Sequence, residues 1–387
     1  MSRLEELIQE LCPNGVEYKT IQETVGLNRG SRLVKSQLSD DFEYEVYHGS
    51  KDTLLGKYSS FNAPANTTIV VNTGGIGGVK FIDKPFWCSD GSFWLGHCEY
   101  INDKFLYYCL AGYEDYFASK KRVGGVPTID RDVVESFKIP VPPMEVQCEI
   151  VHILDKFTLL TAELTAELTA RKQQYDCYRN KLIDEVIGRK GKLIELLIQP
   201  VTDGPHTTPK LFKEGVPFVS ATAVYDGKVH LNDMKGYISK EFDEECARKY
   251  KPKKFDIYMV KSGSTTGKVA IVDFNEDFNI WSPLAALRTG SETQAWYLYH
   301  LLQTSNVQEQ VLSRMSQGSQ PNLSMRVIEQ FDVVIPSIDE QERIVNILNK
   351  FDTYCNDLTQ GLPAEIELRK QQYEYYRDKL LTFKELN

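Results

Sequence analysis

Two glycine loops and two basic runs hold most of the chemistry this chain offers on first reading. NTGGIGG occupies positions 72–78 and SGSTTGK positions 262–268, each between runs of β-branched residues. Turns of Gly, Ser and Thr present backbone N–H groups and small hydroxyls, donors that suit a phosphate or a base edge. GSTTGK at 263–268 is not a nucleotide loop. That loop needs four residues between its glycines and a Ser or Thr after the lysine, whereas here three intervene and Val269 follows Lys268. A third polar stretch, DGPHTTPK at 203–210, is rich in turn residues, and loops held on a rigid scaffold often carry recognition. Arg248, Lys249, Lys251, Lys253 and Lys254 form the densest basic run, interleaved with Tyr250 and Phe255, and Lys120, Lys121 and Arg122 form a smaller one. The plain alternative for each is a tight turn or a solvated face. Candidate contacts to phosphate or base edges are therefore Asn72, Thr73, Gly74, Gly75, Lys80, Lys121 and Arg122 in the first half. In the second half they are His206, Thr207, Thr208, Lys210, Arg248, Lys249, Lys251, Ser262, Thr265 and Lys268.

Other chemistries lack their residues. The eight cysteines include no CxxC and the six histidines no HxxxH, so no metal site is expected. There is no GxSxG, and Val141-Pro142-Pro143-Met144 is not the (Asp/Asn)-Pro-Pro-(Tyr/Phe) of an amino-methyltransferase. We expect no catalytic residue, and free thiols in a reducing cytoplasm. A net charge of −9 weighs against a free-standing nucleic-acid binder and suits a chain working inside a complex that supplies positive surface. No run of eighteen apolar residues exists, and MSRLEELIQELCP at the start is acidic and amphipathic, so neither a membrane span nor a signal peptide is expected.

The elements that must position these residues come in duplicate. RKQQYDCYRNKL at 171–182 returns as RKQQYEYYRDKL at 369–380, an offset of 198, and IVHILDKF ending at Phe157 returns as IVNILNKF ending at Phe351, an offset of 194. A repeat near half the length of a 387-residue chain marks a duplicated molecule. Residues 145–187 carry apolar residues at steps of mostly three or four: Ile150, Ile153, Phe157, Leu160, Leu164, Leu168, Tyr175, Tyr178 and Leu182. That spacing predicts a coiled-coil helix about 60 Å long. A second helix is predicted over 339–383, with a seam at Ile344, Ile347, Phe351, Tyr354, Leu358, Ile366, Tyr373, Tyr376 and Leu380 and a kink or short break at Gly361–Pro363. Each stripe needs a partner, and the simplest is the other copy packed antiparallel. Thr161–Leu168 reads TAELTAEL, a four-residue unit repeated, with Thr161, Leu164, Thr165 and Leu168 at equivalent places. Either it is a neutral length variation or it is a ruler that adds about 6 Å of helix per unit.

Residues 17–143 and 189–337 lack helical periodicity over long stretches and read as short strands and turns. The expected division is 1–144 as a globule with a short N-terminal helix at 2–11, 145–187 and 339–387 as helices, and 188–338 as a second globule. Thr73-Gly74-Gly75-Ile76-Gly77-Gly78 aligns with Ser262-Gly263-Ser264-Thr265-Thr266-Gly267 in this reading. The fold class is α+β: two strand-rich globules separated by two long helices in an antiparallel coiled coil, with a pseudo-two-fold internal repeat.

Globule, helix, globule, helix, with RKQQY…YRxKL written twice, resembles the specificity subunit of type I restriction–modification systems over essentially the full chain. TAELTAEL is similar to the spacer element of one branch of that family. DGPHTTPK, KSGSTTGKV and NTGGIGG resemble parts of its target recognition domains. The resemblance implies that each globule reads one half of a bipartite target in double-stranded DNA. The helices would set the spacing and dock two modification (methyltransferase) subunits, which bring S-adenosylmethionine and methylate adenine. Restriction/translocase subunits with ATP and Mg2+ would complete the assembly, and this chain itself would hold no cofactor. The rival reading is a coiled-coil scaffold whose globules bind protein.

Overall fold

Proline and glycine bracket the longest element. The helix Met144–Asp184 spans 41 residues, starting after Pro142-Pro143 and stopping before Gly188. A Cβ at Gly188 would sit 2.8 Å from the Ile335 carbonyl oxygen. The helix is three residues shorter at its C-terminal end than the spacing predicted. At its start the buried side chain of Gln147 donates to the Pro142 carbonyl at 2.8 Å. Gln341 does the same to Pro336 at 3.1 Å at the start of the helix Ile338–Asn356. The chain is shown here as a computed structural model, which describes residues 3–122, 126–316, 321–356 and 361–386.

Two compact units form, and their boundary runs through the long helix. The first comprises Met1–Leu164 with Ile366–Asn387, the second Thr165–Glu365. The expected four-segment division is thus regrouped: each globule takes part of both predicted helical regions. The chain passes from one unit to the other between the two TAEL repeats.

In the first unit, Leu27–Arg29, Ser92–Leu95, Thr67–Val71 and Val79–Ile82 form a four-stranded antiparallel sheet in that order. Leu54–Tyr58, Tyr44–Tyr47 and Trp87–Cys88 form a second sheet. The antiparallel pair Glu17–Thr20 and Lys138–Val141 closes the globule beside its exit into the long helix. Thr67–Val71 is buried along its whole length, as expected of a β-branched run in the middle of a sheet. The helix Arg3–Leu11 lies within the predicted 2–11.

The second unit repeats the plan. Its main sheet runs Thr202–Asp203, Leu284–Leu287, Ile257–Val260, Val269–Ile271, Lys228–Val229, Val224–Tyr225. Gly236–Ile238, Val216–Val219 and Asn279–Ile280 form a smaller sheet, and Arg189–Lys192 pairs antiparallel with Asp332–Ile335 at the closure. The two extra strands of the main sheet come from the hairpin at 224–229.

Helix packing follows the predicted stripe in part. The deepest side chains of the first unit's helix are Val146, Ile150 and Leu154, all fully buried at spacings of four and facing the globular core. Ile153 and Phe157 lie half-buried one step around, and Phe157 stacks on Tyr376 at 5.4 Å. The hydroxyl of Tyr18, on the strand that closes the globule, donates to the Phe383 carbonyl, so residues 376–383 run antiparallel to the start of the long helix. In the second unit Tyr178 and Tyr175 stack on Phe351 at 5.7 and 6.3 Å, while Ile183 and Ile344 enter the core. Several predicted seam residues are instead exposed: Leu160, Tyr178, Tyr354 and Tyr376. One face of each helix is spent on a globule, which leaves a narrower strip for the helix–helix contact than a free coiled coil would have. The predicted second helix is two helices, Ile338–Asn356 and Gly361–Leu380. Gly361 has φ +74°, and Leu358 of the predicted seam falls outside the described residues. Thr161 donates to the Phe157 carbonyl, Leu164 and Leu168 are half-buried, and Thr165 is exposed.

Candidate nucleic-acid interface

The glycine loops occupy the same place in each unit. In the first, Val71 donates to Gly78 and Gly77 donates back to Val71, closing the turn between two strands. In the second, Val260 donates to Lys268 and Gly267 to Val260. Gly77 and Gly267 share a positive φ, +87° and +95°, as do Gly74 and Gly263, +79° and +103°. The counterpart of Gly267 is therefore Gly77, one residue earlier than the sequence alignment placed it, and the second loop is longer by one residue. Lys268 stands where the first unit has Gly78.

Asn72 is buried, and the sequence was misleading in placing it among the readers. Its N–H donates to Gly91, its carbonyl accepts from Ile129, and its Oδ1 accepts from the Thr73 hydroxyl. Lys261 fills the equivalent position in the second unit, its carbonyl accepting from Leu323. Gly74 and Gly75 are exposed, but the Gly75 N–H is already given to the Gly49 carbonyl at 2.8 Å, and a Cβ on Gly74 would lie 2.5 Å from that oxygen. These glycines permit close backbone packing rather than offer N–H groups outward. Lys80 lies along its strand, with Nζ 5.0 Å from the Tyr47 ring centre. Lys121 is exposed; Arg122 is exposed and pairs with Asp130 at 2.8 Å.

The basic run of the second unit divides by function. Tyr250 is core: its hydroxyl donates to Asp256, which also takes Arg288 in a two-point ion pair at 2.6 Å. Burial, the dominant cause, and the neighbouring Tyr258 and Asp256 push its phenol well above the ordinary range. Lys251 is clamped between Asp243 at 2.8 Å and Asp277 at 2.7 Å, so it is a structural lysine and not the free phosphate contact its sequence context predicted. Arg248 and Lys249 face solvent. His206, Thr207, Thr208 and Lys210 are exposed on the loop after Thr202–Asp203, and Lys268 is exposed beside half-buried Ser262 and Thr265.

Asp203 was hard to foresee. Its carboxylate is fully buried, with Lys249 against Oδ1 and His206 Nε2 and Lys261 Nζ at 3.1 and 3.3 Å from Oδ2. Lys261, an ionisable residue closing the apolar run IYMV, was the one available signal. Among the described residues no group of His, Cys, Asp and Glu is arranged to hold a metal, and no helix is long and apolar enough to cross a membrane.

A family model described as the type I restriction modification DNA specificity domain matches residues 13–171 and again 203–368. The chain belongs to that family. Among relatives of this specificity-domain family, the specificity subunit of the Escherichia coli type I enzyme EcoR124I/EcoR124II is 34% identical over 260 residues, 64% of this chain and 63% of that one. A putative type I specificity subunit of Haemophilus influenzae is 30% identical over 95% of this chain and 96% of its own. Two solved structures share the fold at low identity. The type I S subunit of M. genitalium has TM-score 0.55 and 18% identity over 95% of this chain and 96% of that one. A chain from a study of complex assembly and conformational transition in a type I system has TM-score 0.61 and 14% identity over 95% of this chain and 98% of that one.

Proposed function

We propose that this chain is the non-catalytic DNA-specificity subunit of a cytoplasmic type I restriction–modification complex. Each globular region, a target recognition domain, reads one half of a bipartite double-stranded site. The helical segments form an antiparallel pair with pseudo-two-fold repetition, set the spacing and dock two methyltransferase subunits. S-adenosylmethionine belongs to those partners, and ATP with Mg2+ to the restriction/translocase subunits. The observation that carries this reading is the repetition of one loop on one scaffold: the turn closed by Val71, Gly77 and Gly78 recurs at Val260, Gly267 and Lys268. A bipartite target needs two readers of the same build with different surface residues, and the exposed Lys268 of the second loop stands where the first has Gly78. The cations left exposed around the second loop suit phosphate and guanine or adenine edges. The spacer role rests on the division of the chain inside TAELTAEL.

Mapping methylated adenines across the genome of cells with and without this gene tests the reading. A bipartite motif that vanishes with the gene supports it. Methylation that is unchanged, or methyl transfer by the isolated chain, overturns it. Deleting one TAEL unit should change the gap between half-sites and leave both half-sites unaltered.

A further inference from the structure

We propose that Asp203 is the positioning residue of the second recognition domain, a buried anion that aims the cations presented to DNA. This rests on the specificity-subunit reading above. The carboxylate has no exposed surface, and burying one costs several kcal/mol unless cations compensate it. Two lysines do, joined by the His206 ring, and each of the three comes from a different segment: His206 from the loop that follows, Lys249 from the segment after the helix Lys240–Ala247, and Lys261 from the end of the strand Ile257–Val260. Those are the three stretches whose polar residues reach solvent: 206–210, 248–249 and 262–268.

The charge balance separates this cluster from the other carboxylate–lysine group nearby. Lys251 meets two carboxylates and is overcompensated. Asp203 meets two lysines and a histidine, so a net positive charge remains at a surface where the Lys249 and His206 side chains are 51% and 70% exposed. Lys261, 8% exposed, supplies the inner countercharge. Oδ2 lies 3.3 Å from the Lys261 ammonium and 3.1 Å from the His206 ring, neither in hydrogen-bond geometry, so the hold is electrostatic and orients without locking. The backbone adds direction. A Cβ on Gly204 would sit 1.9 Å from the Ile280 carbonyl oxygen, so the chain leaves Asp203 along one fixed path towards His206. The first unit keeps the same crossing, since a Cβ on Gly30 would lie 2.0 Å from the Ser89 carbonyl oxygen, but an exposed Arg29 precedes it. The anion is thus peculiar to the second reader.

The test uses the full chain reconstituted with its modification subunits, on duplexes carrying the genome-mapped target, either half-site altered, at several salt concentrations. Asp203→Asn should lose about tenfold or more in discrimination at one half-site and leave the other half-site intact. Lys249→Gln and His206→Gln should weaken the same half-site; Lys249→Gln, which takes a cation from the buried carboxylate, should also lower the unfolding temperature, whereas His206→Gln should leave it unchanged. Lys249→Gln should also flatten the salt dependence by about one phosphate contact. Adding Asp203→Asn to the Lys249→Gln/His206→Gln double variant should cost no further discrimination, because an aiming residue has nothing left to aim. A purely structural Asp203 gives an additive loss instead and overturns the proposal. Surface variants that bind both half-sites as the wild type does overturn it even where Asp203→Asn fails to fold. A wild-type complex with no half-site preference brings down the functional reading itself.

Discussion

The two units solve one packing problem with different chemistry, and the difference shows where the duplication was free to drift. In the first, Tyr108 donates to the Asp155 carboxylate at 2.6 Å, with Lys104 on the other oxygen at 2.8 Å. In the second, His300 meets the Asn349 amide oxygen at 2.7 Å, and its other ring nitrogen meets the Tyr175 hydroxyl at 3.1 Å. Asp155 and Asn349 hold the same place in IVHILDKF and IVNILNKF, and Tyr373 lies against Tyr108 as Tyr175 lies against His300. Where the first unit has a charged junction with a surface lysine, the second is built around a fully buried imidazole. The Pro–Gln helix entries and the positive-φ glycines of the turns were kept, although the second turn is one residue longer. Stability is therefore held in common, while charge is private to each unit.

The largest effect should come from the shared glycine crossing. Gly204→Ala and Gly30→Ala each drive a methyl into a carbonyl oxygen, and each should destabilise its own unit by about 3–4 kcal/mol, read by hydrogen exchange of that unit. If one is tolerated, the correspondence between the crossings fails. Next comes acid. Burial pushes His300 down to about 4, whereas unfolded it titrates near 6.5. The unfolded state takes up the proton first, so this contribution is complete above pH 6.5 and fades as pH falls towards 4, by up to about 1.4 kcal/mol per pH unit. Asp352, whose carboxyl burial raises, acts in the opposite sense. Tyr108 cannot titrate there, so acid should open the second unit before the first. Exchange rates that rise equally in both units would erase the contrast. Phe157→Ala and Phe351→Ala each remove a half-buried stacked ring and should cost about 2 kcal/mol in their own units; matched losses sharpen the comparison, and a silent variant breaks it. The smallest effect is expected from Lys268→Gly, which copies the first unit's loop. It should leave unfolding unchanged and reduce the slope of log affinity against log salt by about 1.

The duplication, the strand-rich globules and the long helix were legible because repetition and periodicity are written in consecutive residues. What lay across the chain was less so. The stripe from Ile150 to Leu182 counted apolar residues correctly but could not tell that Ile150, with Val146 and Leu154 outside the stripe, would be taken by the globule. Asn72 and Lys251 have the right chemistry for DNA, and only their burial and their carboxylate neighbours reveal another use. The one-residue offset at Gly77 is set by which N–H closes the turn, and identical glycines side by side conceal it. Asp203 was passed over because an acid in a basic neighbourhood looks like a detractor until its position beneath the cations is seen.

The hydrogen bond between Tyr18 and Phe383 joins residues 365 positions apart. At about 5–20 residues per second, the ribosome needs roughly 20–70 s to travel that distance. The earlier-made globule waits for its closing segment with Val16 short of its bonds to Lys384 and Leu386, while the later-made one is complete once Glu365 is added. The part translated first is the part finished last, and a chain truncated after Glu365 and released should yield a protease-resistant second unit and a vulnerable first.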